Sequence, residues 1–210
     1  VDGYQFVGGL VGDHVSSEIS ESYAAVNVKG EDFVGGLAGM NQETIVQSYA
    51  LGNVTGKGRG IGGLTGESPT GIITESYTTV RVTGKVNYTG ELAGYYQNSP
   101  PKKINSSYWQ RGKNTQLHSN YGIGLTATEM SGRDALKSME GFNHSAWKTV
   151  NEQNSKTNKF KIYPILEQLD REKQIQAQKD YQSANENAGN GTIEGNILFN
   201  DTLAIEPLIN

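Results

Sequence analysis

The chain has 210 residues, of which 35% are hydrophobic and 27 are glycine, roughly double the usual glycine content. Its net charge is −4 and no cysteine is present. No basic face stands out in the sequence, and no apolar run reaches the length of about 18 residues that a membrane-spanning helix needs. We therefore expect no nucleic-acid partner, no membrane insertion, no disulfide scaffold and no thiolate metal site.

The first half of the chain is organised around a recurring Gly-Gly-Leu stretch. Residues 7–12 recur at 34–39 and 61–66, and more loosely at 89–94. The leucines are spaced by 27, 27 and 28 residues. A Ser-Tyr pair runs in phase with them, at 22–23, 48–49, 76–77 and 107–108. A fixed period between about 20 and 50 residues is typical of a solenoid, in which each unit buries its apolar face against its neighbours.

Each repeat predicts one coil built from three short strands, which gives residues 1–109 about four triangular coils. The strands are the Gly-Gly-Leu stretch, the segment leading into Ser-Tyr, and a short Val-x-Val segment. Glu91 replaces the second glycine in the fourth repeat, and an unpaired carboxylate is almost never buried. Glu91 is therefore expected outside the coil, and the leucines at 10, 37, 64 and 92 on the inward face.

The Ser-Tyr strand leaves two alternatives open. Ile19 and Tyr23 have the same parity along the strand, but polar Glu21 between them shares it. Either a bulge or an outward column of tyrosines would reconcile this pattern.

The repeats end near residue 109, and residues 110–169 are expected to cover the open end of the solenoid. Thr126 and Glu129 form a capping-box pattern that predicts a helix running to Met139. Phe142, Trp147 and Tyr163 would seal the last coil. Residues 170–210 are expected to be a polar linker or solvated helix, with a possible strand pair at 192–209 that leads to a following module. Because the chain starts at Val1 and lacks a leading methionine, we expect a monomeric fragment of a longer protein.

These motifs resemble the GLUG-motif repeats of large bacterial surface and secreted proteins, which include filamentous-haemagglutinin-like adhesins and the accessory regions of immunoglobulin A proteases. The match comprises the Gly-Gly-Leu-x-Gly cores, the Ser-Tyr pairs with their following Val-x-Gly, and a closing pattern at 107–109, 124–130, Phe142, Trp147 and 163–166. The resemblance implies an all-β, right-handed parallel β-helix with a mixed α/β C-terminal cap. It also implies a secreted or cell-surface setting, and it implies no activity.

No motif in the sequence predicts catalysis. Residues 58–63 fit G-x-G-x-x-G, but they straddle a repeat boundary and no helix follows, as a dinucleotide site would require. His14, His118 and His144 stand alone, without carboxylates at metal-ligand spacing. The acidic residues are scattered singly, whereas glycan-cleaving β-helix enzymes cluster several carboxylates on one face. We therefore predict no catalytic residue, no metal and no cofactor.

The candidate binding residues are aromatic and lie near the end of the repeats: Tyr88, Tyr95, Tyr96 and Trp109. Such rings could stack on sugars or anchor a protein partner, or they could simply plug the last coil or line a ladder. Six N-x-S/T sequons also occur, at Asn53, Asn87, Asn105, Asn143, Asn190 and Asn200. Chance explains them in a chain rich in asparagine and threonine, and surface glycosylation is the minor alternative.

The sequence as a whole predicts a non-catalytic segment of a bacterial exported adhesin. It would act as a rigid display stalk, and its surface would bind a host-surface protein or glycan. The alternative is a surface enzyme, with the chain as its accessory region or as a glycan-cleaving β-helix.

Overall fold

The structure is a computed structural model that describes residues 1–94, 103–113, 121–150 and 160–188. It is a parallel β-solenoid of about four coils, followed by a segment that packs along one side and ends in a helix. The prediction of an all-β repeat fold is confirmed. The predicted strand pair at 192–209 lies outside the described residues.

Each complete coil has four strand positions and not the three that were expected. The first coil contains β1 (Gln5–Gly8), β2 (Val11–His14), β3 (Glu18–Ser20) and β4 (Tyr23–Gly30). The second contains β5 (Asp32–Gly35), β6 (Ala38–Asn41), β7 (Thr44–Val46) and β8 (Tyr49–Gly56). The third contains β9 (Ile61–Gly62), β10 (Thr65–Glu67) and β11 (Ile72–Thr74), and its fourth position is shared by β12 (Tyr77–Thr78) and β13 (Arg81–Thr83), which both pair with β8.

The fourth coil is partly described and leads into the C-terminal segment. It contains a 3₁₀ turn (Val86–Tyr88), β14 (Thr89–Gly90), β15 (Lys103–Asn105) and β16 (Tyr108–Gln110). The C-terminal segment contains β17 (Ile123–Leu125), α1 (Ala135–Ser138), β18 (Trp147–Lys148), β19 (Ile165–Leu166) and α2 (Arg171–Ala188).

Equivalent strands of successive coils stack in register into four parallel sheets. The first joins β1, β5, β9 and β14, the second β2, β6 and β10, and the third β3, β7, β11 and β15. The fourth runs from β4 through β8, β12 and β13 to β16 and β17, so that β17 starts a further turn on the last coil. β18 and β19 form a separate antiparallel pair.

The fourth strand position arises because the Gly-Gly-Leu stretch contains a bend. β1 ends at Gly8, the chain turns at residues 9–10, and β2 begins at Val11. The two strands approach so closely that a Cβ on Gly8 would lie 2.0 Å from the Val11 carbonyl oxygen, and one on Gly12 would lie 2.6 Å from that of Phe6. The first and last positions of Gly-Gly-Leu-x-Gly therefore require glycine, because a side chain there would collide with the backbone of the adjoining strand.

The second glycine of the motif is required by the coil stacked above it. A Cβ on Gly9, Gly36 or Gly63 would lie 2.1–2.2 Å from the carbonyl oxygen of the equivalent residue in the next coil. Glu91 occupies this position in the fourth coil, where the four-coil stack ends. The expectation that Glu91 is exposed was wrong, since it is only 8% exposed.

The leucines that follow these glycines line the interior, as predicted. Leu37, Leu64 and Leu92 are fully buried, and Leu10 is half-buried at the open end of the first coil. The backbone N–H groups of Leu10, Leu37 and Leu64 each donate to the leucine carbonyl of the next coil, at 2.9, 2.8 and 2.7 Å. Stacked apolar side chains of the sheets complete this inner core, among them Val34, Ile45, Val54, Ile61 and Ile73.

A left-handed residue precedes each Ser-Tyr pair and resolves the parity problem. Glu21, Gln47, Glu75 and Ser106 have φ between 40° and 47°. The kink breaks the predicted strand, so that Ile19 packs against the inner core while Tyr23 belongs to a different cluster. The serines stabilise the corner, because the hydroxyls of Ser22, Ser48, Ser76 and Ser107 each donate to a carbonyl two residues back. The last three hydroxyls also accept from the backbone N–H of the serine in the preceding coil.

The tyrosines form a column on the outside of the coils. The ring of Tyr49 stacks on those of Tyr23 and Tyr77 with centroids 4.9 Å apart in both cases. Trp147 lies 6.0 Å from Tyr49 and 5.5 Å from Tyr77, and all four rings are buried.

Phe142, Trp147 and Tyr163 therefore cover the side of the solenoid, where they pack on the tyrosine column, and the expectation that they seal its end was wrong. The tyrosine rings face away from the inner core, so they need an apolar cover of their own. Residues nearer the end do cap the last coil. Tyr121 packs against the inner core, and β17 pairs with β16.

The predicted helix from Thr126 forms only in part. The capping box is present, because the Thr126 N–H and hydroxyl donate to the Glu129 carboxylate at 2.7 and 2.8 Å, and the Glu129 N–H donates back to Thr126 Oγ1 at 3.2 Å. Gly132 then takes φ +74°, which interrupts the helix. Only the single turn of α1 follows before Gly141.

Helix α2 was expected to be solvated, but one of its faces is buried. Ile175 and Tyr181 are 5% and 4% exposed, and Gln174 and Gln178 are essentially inaccessible. Within the described ranges, no helix is long and apolar enough to cross a membrane.

Glutamines four residues apart on α2 hold the neighbouring extended chain. Gln174 accepts from the Leu166 N–H at 2.8 Å and donates to its carbonyl at 2.9 Å. Gln178 does the same for Tyr163, and Gln182 for Lys161. The side-chain amides thus take the place of a neighbouring β-strand.

Candidate functional site

Aromatic residues recur at the base of β1, β5 and β14, two positions before the first glycine of each motif. Phe6 and Phe33 occupy this position in the first two coils, Gly60 in the third and Tyr88 in the fourth. The equivalence follows from the strand register, in which the residues that come next are paired in turn: Val7 with Val34, Val34 with Ile61, and Ile61 with Thr89. The rings of Phe6 and Phe33 stack with centroids 5.1 Å apart and planes 10° from parallel.

Arg59 fills the place that Gly60 leaves without a ring. Its guanidinium lies 5.9 Å from the centroid of Phe33, and its side chain remains 41% exposed. Phe6 is 37% exposed, whereas Phe33 is buried between its neighbours. We call Phe6, Phe33 and Arg59 the aromatic–arginine column.

The backbone of the column is held in a conformation that side-chain-bearing residues rarely adopt. Phe6 and Phe33 have φ of 52° and 56°, and Gly60 in the same position has φ of 62°. A left-handed residue costs on the order of 1–3 kcal/mol when it is not glycine. Two phenylalanines keep this geometry in successive coils although glycine would adopt it freely, which indicates that the rings themselves matter there.

Polar groups accompany the column one residue earlier in each coil. Asp32 accepts from the Gln5 amide at 3.1 Å and from the Arg59 backbone N–H at 2.7 Å, and it forms an ion pair with the Arg59 guanidinium at 3.5 Å. Burial alone would raise the pKa of Asp32, but these hydrogen bonds and the charge of Arg59 outweigh it and hold the pKa below its ordinary value. The carboxylate is therefore ionised at neutral pH.

The pKa of Glu67 is shifted in the opposite direction from that of Asp32. It is only 4% exposed, and burial raises its pKa to about 7, with the charge of Arg59 opposing the shift. Lys113 has a pKa lowered to about 7 by burial and by Arg81, but it contacts Thr79 and Tyr181 on the side that α2 covers. Asp32 and Glu67 thus share Arg59 as a neighbour, whereas Lys113 belongs to a different part of the molecule.

The sequence-predicted binding residues do not form one surface in the described structure. Tyr88 is half-buried in the 3₁₀ turn and lies in register with the column. Trp109 packs against the inner core, in register with Thr78, and its indole nitrogen is buried without a hydrogen-bond partner among the described residues. Trp109 therefore plugs the last coil, the alternative left open above. Tyr95 and Tyr96 lie outside the described residues.

The column itself was not identified from the sequence, although a signal for it exists. Phe6 and Phe33 both precede Val-Gly-Gly, and Tyr88 stands at the same offset before Thr89-Gly90. Alignment of the repeats on their first glycine would have shown an aromatic in three of four copies. Arg59 gives no such signal, because it enters the column only through the gap at Gly60.

Two of the histidines lie in the described part of the chain, and neither belongs to a group of three potential metal ligands there. His14 is buried, and its Nδ1 lies 2.7 Å from Asn41 Oδ1, while Asn41 donates to Ser68 Oγ at 3.1 Å. This chain of polar residues follows the 27-residue period and links three coils. His144 is exposed, and His118 lies outside the described residues. Across the described ranges, no three His, Asp or Glu side chains gather at metal-ligand distances.

Comparison with known proteins adds no further guide to the site. No protein-family model matches the chain, and no curated protein or solved structure is significantly similar to it. The resemblance to GLUG-motif repeats therefore stays a prediction.

Proposed function

We propose that this chain is a non-catalytic β-solenoid segment of a bacterial exported adhesin, which holds a ligand-binding edge at a fixed distance from the cell. The supporting observation is the continuous stacking of the coils. Backbone ladders, the leucine core and the tyrosine column all run in register through successive coils, so a load along the axis would be shared by many parallel contacts. The cell-surface setting follows from the resemblance described above.

The aromatic–arginine column is the proposed binding edge. A half-exposed phenylalanine offers an apolar ring face for a sugar or an apolar side chain. Arg59 and Gln5 beside it supply hydrogen-bond donors, and the buried Asp32 carboxylate holds both of these side chains in place. This combination suits a neutral or weakly acidic host glycan, or a protein loop of similar polarity.

Rigidity can be tested by distance measurements between spin labels. The chain contains no cysteine, so pairs can be introduced without background, for example Val15→Cys with Lys103→Cys. Both positions are exposed, and they lie on the first and fourth coils. A stalk predicts a single narrow distance distribution that does not change with salt. A broad or multimodal distribution would overturn the proposed spacer role.

Binding can be tested by screening immobilised host glycans and extracellular-matrix proteins with the intact chain. Phe6→Ala and Arg59→Ala are expected to abolish the signal of any ligand bound at the column. Val15→Ala is the matched control, because Val15 is 56% exposed in the same first coil and lies outside the column. Loss of binding in the control, or retention in both column variants, would exclude this edge.

One observation favours a second candidate, a glycan-cleaving β-helix. Glycosidases need two carboxyl groups with pKa values pushed apart, and Asp32 and Glu67 flank Arg59 with shifts of opposite sign. Both are less than a tenth exposed, which leaves a substrate little access to either. Release of reducing sugar from polysaccharides by the wild type, lost in Glu67→Gln, would establish the enzyme and exclude the non-catalytic proposal.

A further inference from the structure

Three consecutive exposed residues, 143–145, form a turn between buried anchors. Phe142 precedes them at 4% exposure, and Ala146 and Trp147 follow at 4% and 0%. The Asn143 backbone N–H donates to the Glu75 carboxylate of the third coil at 2.9 Å, and its carbonyl accepts from the Trp147 N–H at 2.9 Å. The turn is therefore fixed against the solenoid and presented to solvent.

Within this turn, the side chains of Asn143 and Ser145 are hydrogen-bonded to each other. Asn143 Oδ1 accepts from the Ser145 hydroxyl at 2.8 Å and from its backbone N–H at 2.9 Å. None of the hydrogen bonds described for Asn143 uses Nδ2. Two donors on the amide oxygen stabilise the negative charge that develops there when the amide nitrogen gives up a proton.

We propose that Asn143 is a site of N-linked glycosylation, with Ser145 as the hydroxyl residue of its sequon. In the transfer, Asn143 Nδ2 forms a bond to the anomeric carbon of a sugar diphosphate. The bond from that carbon to the diphosphate oxygen breaks, and the diphosphate leaves with the electron pair. The proton lost from Nδ2 passes to a base of the transferase. The donor is a nucleotide-activated sugar or a lipid-linked one.

The other sequons in the described residues each lack one part of this arrangement. The amide nitrogen of Asn53 donates to Asn27 Oδ1 at 2.8 Å in the middle of β8. Asn105 is exposed, but its partner Ser107 is 1% exposed and bonded to backbone groups of the corner. Asn87 is exposed, but its partner Thr89 is fully buried. The fold thus distinguishes four sequons that are equivalent in the sequence.

The test is glycan transfer to the purified, folded chain. One arm uses a nucleoside-diphosphate hexose with a soluble N-glycosyltransferase, and the other uses a lipid-pyrophosphate-linked oligosaccharide with a membrane oligosaccharyltransferase. Each transferase is first shown to modify a synthetic peptide spanning residues 138–150. Site occupancy is then measured by peptide mass spectrometry, in parallel with peptides that span the sequons at 53, 87 and 105.

Occupancy is expected at Asn143 of the folded chain and not at Asn53, Asn87 or Asn105, although their free peptides are modified. Ser145→Ala should abolish the modification, while Ser145→Thr should retain it with an unchanged melting curve. The arm that gives transfer identifies the donor class. If the 138–150 peptide is modified but the folded chain is not, or if Asn53 is occupied as fully as Asn143, the proposal is overturned.

Discussion

At the scale of single residues, the glycines of the repeat are constrained by what surrounds them more than by their own dihedral angles. Gly63 is an example, because a Cβ there would lie 2.1 Å from the Glu91 carbonyl oxygen of the coil above, whereas Gly112 has φ +86° and no atom within 4 Å. A side chain at Gly63 would thus lack space, whereas a side chain at Gly112 would have space but a strained backbone.

The first prediction compares these two glycines. Gly63→Ala should lower the free energy of unfolding by about 1–3 kcal/mol or more, because the stacked coils must move apart. Gly112→Ala should cost about 1 kcal/mol, from backbone strain alone. Denaturant unfolding of both variants measures the difference. Equal costs would show that the second glycine of the motif is not required by coil stacking.

The second prediction concerns Glu67 and pH. Its pKa is raised to about 7 in the folded protein and is about 4.5 in the unfolded chain. Between these values the folded state binds more protons, so stability falls as pH rises through the window from 4.5 to 7. Glu67→Gln removes this penalty and should stabilise the protein at pH 8 by about 1–3 kcal/mol.

The same Glu67→Gln substitution should have little effect at pH 4, where the carboxyl is already neutral. Thermal melts of wild type and variant across pH 4 to 8 test this, with Asp134→Asn as the control because Asp134 is an exposed acid far from the column in sequence. A difference between wild type and Glu67→Gln that does not change with pH would contradict the assigned ionisation.

At the scale of secondary-structure elements, the sequence predicted the repeats better than what lies between them. The 27-residue period specifies which residues stack, because coil packing repeats the same local interactions. It does not specify a left-handed residue such as Glu21, since nothing in the residue type demands φ of 42°. The four-strand coil was missed because the bend at residues 9–10 falls inside a stretch that was expected to be one strand, and the kink at Glu21 likewise breaks the predicted Ser-Tyr strand.

The site was less predictable than the fold. Phe6 and Phe33 could have been found from the repeat alignment, but the position of Arg59 over Phe33 depends on a tertiary contact across two coils. The burial of α2 was equally hidden. A glutamine-rich segment looks solvated in sequence, and only the N–H and carbonyl groups that Tyr163 and Leu166 direct towards α2 give Gln174 and Gln178 a reason to be buried.

The third prediction tests this glutamine face. Gln174→Leu should destabilise the protein by about 2–5 kcal/mol, because it leaves the Leu166 N–H and carbonyl buried without their side-chain partner and removes one hydrogen bond of the Tyr49 hydroxyl. Gln182→Leu is the matched control. It removes the same pair of bonds to Lys161, but in an exposed setting where water replaces them, and it should cost about 0.5 kcal/mol or less. Equal denaturation midpoints in the two variants would show that the buried hydrogen bonds of Gln174 do not stabilise the protein more than the exposed ones of Gln182.

At the scale of the whole molecule, the described residues form two large apolar regions and a smaller third one at Val150, Ile162, Ile165 and Ile175. The inner core lies inside the coils, and the tyrosine column with its cover lies outside them, with no buried residue in common. The solenoid interior should therefore survive loss of the cover, while the tyrosines should not stay protected.

The ionisation of the tyrosines reports on this cover. Burial raises the pKa of Tyr49 and Tyr77 well above the ordinary value of 10, and raises that of Tyr181 to about 12. Above pH 10 the unfolded chain ionises these phenols and the folded chain does not. The folded state then binds more protons, so stability falls as pH rises beyond 10.

The last prediction removes α2 by ending the chain at Asp170. Tyr49 then keeps its stacked tyrosines and Trp147 but loses Gln174, which contacts its hydroxyl, so water reaches the phenol and its pKa should fall towards 10 in a spectrophotometric titration. Binding of a hydrophobic dye should increase, because the face covered by Ile175 and Tyr181 is opened. Amide exchange in β5 to β8 should stay slow, because the inner core loses none of its buried members. A chain ending at Ala188 keeps every described contact of α2 and serves as the control. If β5 to β8 exchange as fast as an unfolded chain in the shorter protein, the two apolar regions fold as one unit, and the helix is part of what holds the solenoid together.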